Sequence, residues 1–248
     1  MDHVGCVPYL NAKPLALALS EVGITAQFAV PSQLPALLDS GDCSAIMVSS
    51  IYALSTPGCR YAEGLGISSQ HDVQSVRLFS QVPFNQIRTL RLDPSSMTSN
   101  ILAQIVLRET YHSGPEIKAD GEAEVVIGDA GLTHPGAPYI LDLGLAWREL
   151  TGLPFVWALW VGYDTLTSEL SEKLNRARDC GVQRIAEIAK DAPIPAADAE
   201  HYLTHCIDFG WSEAHEQAVR LFGNKALAHR LIPELYQPVP VPGSHVTA

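Results

Sequence analysis

Apolar residues along this chain recur at two periods, one typical of strands and one typical of helices. The strand period predicts strands at residues 4–7, 26–30, 45–48, 73–80, 90–92, 123–127, 139–142 and 154–162, of which the first is expected to be buried and the last is too apolar for a sheet edge. The helical period predicts helices at residues 15–21, 31–40, 101–111, 143–150, 166–190, 196–205 and 213–222. Residues 238–248 show no periodicity, which predicts a loose tail. Strands that alternate with helices through short loops predict an α/β fold with parallel sheets.

Residues 91–100 read Arg-Leu-Asp-Pro-Ser-Ser-Met-Thr-Ser-Asn and join a short predicted strand to a long predicted helix. Short hydroxyl side chains are the usual caps of helix N-termini, and capping alone is one explanation for this cluster. A helix start also carries unpaired N–H groups and the positive end of the helix dipole, so it can hold an anion. The candidate substrate-binding residues of this turn are Ser96, Met97, Thr98 and Ser99.

Polar side chains also follow other predicted strands at the point where each strand ends. Ser49 and Ser50 form a second hydroxyl turn, and Asp129 places a carboxylate after a later strand. The first loop contains Tyr9 and Asn11, and the amide of Asn11 either binds its own backbone or offers a donor and an acceptor to a ligand. In open α/β sheets the ligand crevice lies at the carboxyl ends of the strands, so two facing sheets would bring these turns together.

The composition is that of an ordinary globular protein, with 47% hydrophobic and 17% charged residues among 248. This length suffices for one large domain or for two smaller lobes. A net charge of −11 argues against nonspecific binding to nucleic acid, so no nucleic-acid partner is expected. An anionic small molecule is compatible with that charge because helix starts and hydroxyls hold anions locally.

The positions of the cysteines, histidines and apolar residues argue against a disulfide-rich, metal-binding, secreted or membrane-spanning protein. Five cysteines are scattered without a CxxC pair, which is typical of buried reduced thiols. His201 and His205 would share a helix face, but no HExxH glutamate lies between them, so no metal site is expected. The chain shows no signal peptide and no apolar run of roughly 20 residues, the length that crosses a bilayer. We therefore expect a cytoplasmic protein without a membrane partner.

Six segments of the chain carry a specific resemblance to a known family. They are residues 9–15, 49–52, 73–80, 92–100, 127–130 and 142–156, which follow one another along about the first two thirds of the chain. On these segments the chain resembles the MqnA family of menaquinone biosynthesis, the chorismate dehydratases of the futalosine pathway. The helical last third is matched only by its position.

The resemblance implies an α/β protein with two lobes, like type II periplasmic-binding proteins, and a ligand cleft between the lobes. Residues 1–87 and 158–248 are expected to form the first lobe, and residues 88–157 the second. The resemblance also implies a lyase that removes water from chorismate to give 3-[(1-carboxyvinyl)oxy]benzoate. The active-site Asn and Ser of the family are matched by Asn11 and Ser75, which are therefore the expected catalytic residues.

Chorismate is a small dicarboxylate, and the two hydroxyl turns offer a place for each carboxylate. Ser49-Ser50 and Thr98-Ser99 are expected to bind one carboxylate each through helix starts and hydroxyl donors. Closure of the two lobes would then exclude water and hold the substrate in a reactive conformation.

The expected reaction takes a proton from the ring carbon that bears the ether and loses a hydroxyl from the neighbouring carbon. Aromatisation drives these steps, so no cofactor or metal is expected. The matched segments offer Asn, Ser and Thr, none of which is basic at neutral pH. We therefore expect the substrate's own enolpyruvyl carboxylate to take the proton, and Asp129 is the alternative base.

Two other functions stay open on the sequence. One is the sister lyase of the same pathway and fold, which acts on a cyclic futalosine derivative to give 1,4-dihydroxy-6-naphthoate. The other is a noncatalytic solute-binding protein, because one architecture serves both transport and catalysis.

Overall fold

Two β-sheets with helices packed on them make up the structure, a computed structural model that describes residues 2–243. In chain order the strands are β1 (Asp2–Cys6), β2 (Ile24–Phe28), β3 (Ala45–Ser49), β4 (Arg60–Ala62), β5 (Ile67–Ser69), β6 (Val76–Ser80), β7 (Thr89–Arg91), β8 (Glu116–Ile117), β9 (Ala123–Ile127), β10 (Tyr139–Asp142), β11 (Phe155–Gly162) and β12 (Val239–Val241). The helices are α1 (Lys13–Ala16), α2 (Leu34–Asp39), α3 (Ser50–Ser55), α4 (Thr98–Thr110), α5 (Gly128–Thr133), α6 (Leu143–Thr151), α7 (Ser168–Val182), α8 (Ile185–Lys190), α9 (Ala196–His201) and α10 (Glu213–Ala228). Short 3₁₀ turns lie at Leu10–Ala12, Ser20–Val22 and Phe84–Gln86, and a π-helical turn lies at Tyr202–Cys206.

The two sheets are of mixed direction. The first has the strand order β12-β4-β11-β3-β1-β2, and β5 also pairs with β11. Strand β1 runs parallel to β2 and β3, whereas β11 runs antiparallel to β3, β4 and β5. The second sheet has the order β10-β6-β9-β7-β8, in which β7 is parallel to β8 and β9, and β6 is antiparallel to β9 and β10. The predicted α/β class is confirmed, but the expectation of parallel sheets is wrong.

The reversed strands, β6 and β11, are the first strands after each crossing of the chain from one sheet to the other. The C-terminal ends of strands β1, β3, β7 and β9 border a common cavity between the two sheets. The first strand after each crossing starts beside the cavity, whereas β1, β3, β7 and β9 end there. It is therefore antiparallel to them. The direction of such a strand is set by the crossing, so it cannot be predicted from the alternation of apolar and polar residues.

Sheet membership differs from the predicted lobe limits at two places. Val76–Ser80 pairs within the second sheet, although it falls within the predicted first lobe of residues 1–87. Phe155 and Val156 of β11 pair within the first sheet, although the second lobe was expected to extend to residue 157. The chain thus crosses between the sheets within residues 70–75 and 143–154. The division into two moving lobes itself stays a prediction.

Aromatic packing holds the second crossing against the first sheet. The indole Nε1 of the fully buried Trp147 in α6 donates to Pro154 O at 2.9 Å. The Trp147 ring lies 5.2 Å from Phe155 of β11 and 6.0 Å from Phe222 of α10. Edge-to-face pairs at such separations are worth about 0.5–1.5 kcal/mol each beyond their buried area. This cluster places β11, and with it Trp157, at the wall of the cavity.

The other differences between the predicted and the observed elements concern three-residue strands and two predicted helices that are divided in the structure. Strands β4, β5 and β12 have three residues each, too few to show a period in the sequence. Strand β12 lies within the predicted loose tail, so that prediction is wrong for Val239–Val241, which pairs in parallel with β4. The rest of the tail, residues 244–248, lies outside the described residues. The helix predicted at 166–190 is divided into α7 and α8, and the one predicted at 15–21 is replaced by α1 and a 3₁₀ turn.

Neither a membrane span nor a metal cluster is found in the described part of the chain. Its helices are too short or too polar to cross a bilayer. Within residues 2–243 no three His, Cys, Asp or Glu side chains are grouped so that they could hold a metal ion. His201 and His205 do share a helix face, with ring centroids 4.7 Å apart. All five cysteines are free thiols, and burial raises the pKa of Cys6 to about 12, so this thiol stays protonated at neutral pH.

His215 caps helix α10 and is buried. The Ser212 hydroxyl lies 2.8 Å from His215 Nδ1, and the Ser212 backbone N–H donates to the same nitrogen at 3.1 Å. The other ring nitrogen, Nε2, lies 3.1 Å from Ser68 Oγ. Burial lowers the pKa of His215, although the nearby Asp208 carboxylate opposes the shift.

We expect the free energy of unfolding to decrease as the pH falls below the ordinary histidine pKa of 6.5. The unfolded chain binds a proton on His215 more readily than the folded chain, so this stability is complete above the unfolded pKa and is lost as the pH falls through the folded pKa. His215→Gln should retain the cap, because Gln is common at this position of a capping box. The free energy of unfolding of this variant should decrease less as the pH falls. Denaturant titrations of both proteins between about pH 8 and pH 5 measure the difference, and equal slopes would contradict it.

Candidate active site

A cavity of about 600 Å³ lies between the two sheets. Its walls come from the C-terminal ends of β3 and β9, from the residues that follow β1, β2, β7 and β9, and from parts of β5, β6 and β11. The apolar part of the wall includes Val7, Met47, Leu92, Ile127 and Trp157. The predicted convergence of strand ends from both sheets on one hollow is therefore present in the structure.

Seven of the ten predicted site residues line this cavity, namely Tyr9, Asn11, Ser49, Ser96, Met97, Thr98 and Ser99. The other three, Ser50, Ser75 and Asp129, stand next to lining residues in the sequence but are absent from the cavity wall. Ser50 and Ser75 are fully buried, and Asp129 is half-buried. The roles of all ten toward a substrate stay predictions.

The loop before α4 is held in place by hydrogen bonds of its own. The Asp93 carboxylate accepts from Ser95 N at 2.8 Å, from Ser95 Oγ at 2.5 Å and, through its other oxygen, from Ile127 N at 3.2 Å. The Asn100 side chain accepts from Asp93 N at 2.9 Å and donates to the carbonyl oxygens of Asp93 and Ser96. These contacts fix the N-terminus of α4 at the cavity wall before any ligand binds.

The two hydroxyl turns touch each other across the sheets. Thr98 Oγ1 accepts from Ile51 N at 3.2 Å and lies 3.5 Å from Ser50 Oγ. The Ser50 hydroxyl donates to Val156 O at 2.8 Å. The hydroxyls of Ser50 and Thr98 are therefore engaged within the protein, whereas the sequence suggested that each turn was free to take one carboxylate. Binding of an anion by the Ser50 hydroxyl would require this contact to break.

Two polar atoms at the cavity have no hydrogen-bond partner among residues 2–243. Asn11 Oδ1 and Ser49 Oγ are both buried without a hydrogen bond, and both residues line the cavity. A buried polar atom without a partner costs roughly 1–3 kcal/mol, and such atoms are rare in stable folds. Their joint occurrence at one cavity leaves two polar groups that are free to hydrogen-bond a molecule bound there.

Ser75 sits in a strained turn behind the cavity wall. Its backbone N–H donates to Val73 O at 2.6 Å around Gln74, which has a φ of 58°. This is a γ-turn of the strained kind, and strained backbone persists where the surroundings impose it. The Asp142 carboxylate imposes it here by accepting from Val73 N at 3.0 Å and Gln74 N at 2.7 Å. Burial raises the pKa of Asp142 in spite of these bonds.

Tyr202 is a residue of this site that the sequence did not indicate. Its hydroxyl donates to Ser75 Oγ at 2.8 Å, and its ring is buried. Burial raises the pKa of Tyr202, the polar neighbours Ser75 and Asn11 oppose that rise, and the Asp129 carboxylate adds to it. Tyr202 begins the π-helical turn after α9, and such turns are frequent at functional sites. A single aromatic residue within a helical pattern carries no comparable signal.

Asp129 supports the first loop. Its Oδ1 accepts from Leu10 N at 3.2 Å, so the carboxylate ties the 3₁₀ turn that carries Asn11 to the start of α5. The preceding Gly128 has a φ of 62°, and a Cβ there would lie 3.5 Å from the Tyr9 ring. The carboxylate has a structural use that does not involve the cavity.

The electrostatics of the cavity are unusual for an anion site because no Lys, Arg or His lies among its lining residues. Donors to an anion would be hydroxyls, amides and the N–H groups at the start of the thirteen-residue α4. A helix N-terminus favours negative charge through its dipole and its unpaired N–H groups. Such donors are able to hold a carboxylate without a countercharge, and the one charged residue among the lining residues is the carboxylate of Asp93, whose oxygens accept from Ser95 and Ile127.

Two α/β sheets with a cavity between their strand ends define the type II periplasmic-binding-protein-like class. Solved structures share this fold. A protein of Archaeoglobus fulgidus has a TM-score of 0.69 at 16% identity and covers 93% of this chain and 98% of its own. The periplasmic aliphatic sulphonate binding protein of Escherichia coli has a TM-score of 0.60 at 13% identity and covers 100% of this chain and 95% of its own.

The chain belongs to the menaquinone biosynthesis family, whose family model matches residues 3–228. Two relatives are named chorismate dehydratase. The one from Thermus thermophilus is 26% identical over 221 residues, covering 75% of this chain and 80% of the relative. The one from Campylobacter jejuni is 28% identical over 233 residues, covering 88% of this chain and 94% of the relative. The resemblance to the MqnA family and the two-lobed fold class are thereby confirmed.

Proposed function

We propose that this protein is a chorismate dehydratase, a lyase that converts chorismate to 3-[(1-carboxyvinyl)oxy]benzoate and water. The observation that carries this proposal is the pair of unpartnered buried acceptors, Asn11 Oδ1 and Ser49 Oγ, at a cavity between the two sheets. Membership of a menaquinone biosynthesis family and two relatives named for this reaction support it.

The cavity suits a dicarboxylate that carries a ring. Its volume of about 600 Å³ lies within the usual range of about 300–1,000 Å³ for small-molecule sites. Apolar side chains such as Met47, Leu92 and Trp157 offer surfaces to the ring. Hydroxyls of Ser49 and Ser99 and the N–H groups at the start of α4 offer donors to the carboxylates.

The chemistry is a loss of water that needs one proton acceptor and one departing hydroxyl. The enolpyruvyl carboxylate of the substrate takes the proton from the ring carbon that bears the ether, and the electron pair of that C–H bond forms the new ring double bond. The neighbouring C–O bond breaks, and the hydroxide leaves as water with the transferred proton. The Ser75 hydroxyl, a donor, orients the carboxylate, and Asn11 Oδ1, an acceptor, takes a hydrogen bond from the departing hydroxyl.

The position of Asp129 supports the substrate as its own base. The Asp129 carboxylate accepts from Leu10 N at 3.2 Å, so this oxygen is engaged by the backbone of the first loop. A general base needs hydrogen-bond reach to the proton it takes. Asp129 is therefore assigned to holding the loop that carries Asn11.

The lobes that close on the substrate follow the sheets more closely than the limits expected from the sequence. The first comprises residues 2–69 and 155–243, the second comprises residues 76–142, and α6 lies in the second crossing. The crossings at 70–75 and 143–154 act as hinges, as in other two-lobed ligand-binding folds. The reaction is expected in the cytoplasm.

Incubation of the purified protein with chorismate tests the proposed function. Mass spectrometry should detect a product lighter by one water, and the ultraviolet spectrum should change to that of a substituted benzoate. Chorismate that is bound but recovered unchanged would instead indicate a noncatalytic binding protein. A protein that ignores chorismate but converts the cyclic futalosine derivative would be the sister lyase.

Ser49→Ala is expected to weaken substrate binding without affecting stability. The Ser49 hydroxyl has no partner in the protein, so its removal breaks no internal hydrogen bond. A hydrogen bond to a carboxylate is worth about 1.5–3 kcal/mol, which corresponds to an increase in KM of about 10- to 150-fold. Steady-state kinetics measure this change, and Ser20→Ala on the exposed surface is the matched control. An unchanged KM would show that Ser49 does not contact the substrate.

A further inference from the structure

The hydroxyl of Tyr202 lies between the two residues assigned to catalysis. It donates to Ser75 Oγ at 2.8 Å, and the Asn11 side chain is a second polar neighbour that lowers the pKa of the phenol. Asn11 belongs to the first loop and Ser75 to the first crossing, 64 residues apart in the sequence (75 − 11). One phenol from the C-terminal third of the chain therefore joins two segments that carry the reaction.

We propose that Tyr202 is a positioning residue, which sets the hydroxyl of Ser75 as a donor and the amide oxygen of Asn11 as an acceptor toward the substrate. This inference rests on the proposed function, because it assigns a role in the same reaction. Tyr202 is absent from the cavity wall and acts only through the two residues that it contacts.

The direction of the hydrogen bonds determines what each group can do. The Tyr202 O–H donates to Ser75 Oγ, so the serine oxygen is used as an acceptor and its own proton is directed elsewhere. In this proposal an N–H of the Asn11 amide faces the phenol, because the Asn11 side chain lowers the pKa of Tyr202, and Oδ1 is left as the free end of that side chain. This agrees with the buried and unpartnered state of Asn11 Oδ1 at the cavity.

The surroundings keep the phenol protonated and fixed. Burial raises the pKa of Tyr202, and the Asp129 carboxylate raises it further, so the hydroxyl retains its proton through the neutral range. The ring is 1% exposed. It starts the π-helical turn Tyr202–Cys206, whose local widening moves the residues after α9 out of the ordinary helical register. A phenol held in this way works as a rigid support and not as an acid or base.

The substitution Tyr202→Phe tests the inference because it removes the hydroxyl and keeps the ring. We expect kcat for chorismate to fall by up to about 100-fold, the usual cost of a catalytic group displaced by a fraction of a bond length. KM should change little, since Tyr202 does not contact the substrate. In a Ser75→Ala background the same substitution should lower kcat clearly less, because one of the groups that it positions is already missing.

Tyr61→Phe is the matched control. Tyr61 is another buried tyrosine, but it lies on β4 against Trp211 and is absent from the cavity wall. Its substitution should leave kcat unchanged. Thermal unfolding of each variant shows whether the fold is retained.

The outcomes separate this inference from the proposed function. An active wild-type enzyme with an equally active Tyr202→Phe variant would overturn the inference alone. So would a loss that is the same factor with and without Ser75, because a merely structural role predicts equal losses in both backgrounds. A wild-type protein that gives no aromatic product from chorismate would overturn the proposed function and this inference with it.

Discussion

Replacing Asn11 with alanine is expected to lower kcat for chorismate dehydration by about 100- to 10,000-fold, the contribution typical of acid–base and orienting groups. The amide oxygen of Asn11 is the buried acceptor left free at the cavity, and alanine removes it. Asn11 also contacts Tyr202, so its loss frees the phenol that holds Ser75. The fold should survive, because the neighbouring 3₁₀ turn is tied to Asp129 through Leu10 N.

The matched variant is Asp129→Asn, which retains an oxygen that can accept from Leu10 N but cannot act as a base at neutral pH. Rates of product formation at saturating chorismate should therefore remain within a few-fold of the wild type for this variant. If Asp129→Asn abolishes turnover while chorismate still binds, Asp129 is the base and the substrate-assisted mechanism is wrong. Isothermal titration with chorismate measures the binding separately from the chemistry.

Gly131→Ala is expected to damage the site and the fold together. A Cβ at Gly131 would lie 2.4 Å from Ser75 O and 2.9 Å from Ser75 C, and both are backbone atoms that cannot rotate away. Accommodation of the methyl group must displace either α5 or the strained turn that carries Ser75. Overpacking of this kind costs about 1–3 kcal/mol of stability. The displacement of Ser75 should lower kcat by about as much as Ser75→Ala does.

The expected loss of stability is opposite to the effect of helix propensity alone, so the sign of the change tests the prediction. Gly131 lies within helix α5, where alanine is favoured over glycine by about 1 kcal/mol. A stabilised Gly131→Ala protein would show that the close approach to Ser75 does not exist. Gly114→Ala is the control, because no atom lies within 4 Å of the Cβ that it would add. Denaturant unfolding and kcat of both variants decide the question.

Elements with a clear period were predictable and short ones were not. The strands Ala123–Ile127 and Tyr139–Asp142 have the predicted limits, because apolar and polar residues change sharply at their ends. The long β11 was predicted as a strand, but its antiparallel direction was not, since direction is set by the crossing between sheets. The three-residue β4 and β5 have too few positions to show any alternation.

The candidate site shows the same division. The turns at Ser49 and Thr98 were found from local composition, because short hydroxyls at strand ends are visible in the sequence. The engagement of Thr98 Oγ1 by Ile51 N joins segments 47 residues apart, and no local pattern reports it. Tyr202 is farther still, 127 residues from Ser75, and lies in a helical stretch without distinctive composition.

The sequence by itself determined the α/β class, the order of most strands and helices, and the polar turns that border the cavity, since these follow from residue periods and capping preferences over a few positions. Only the tertiary structure decided which strands run in reverse, which hydroxyls are engaged within the protein, and which buried oxygens remain without a partner. Those outcomes depend on contacts between segments far apart in the chain, whose geometry arises when both sheets pack around one core.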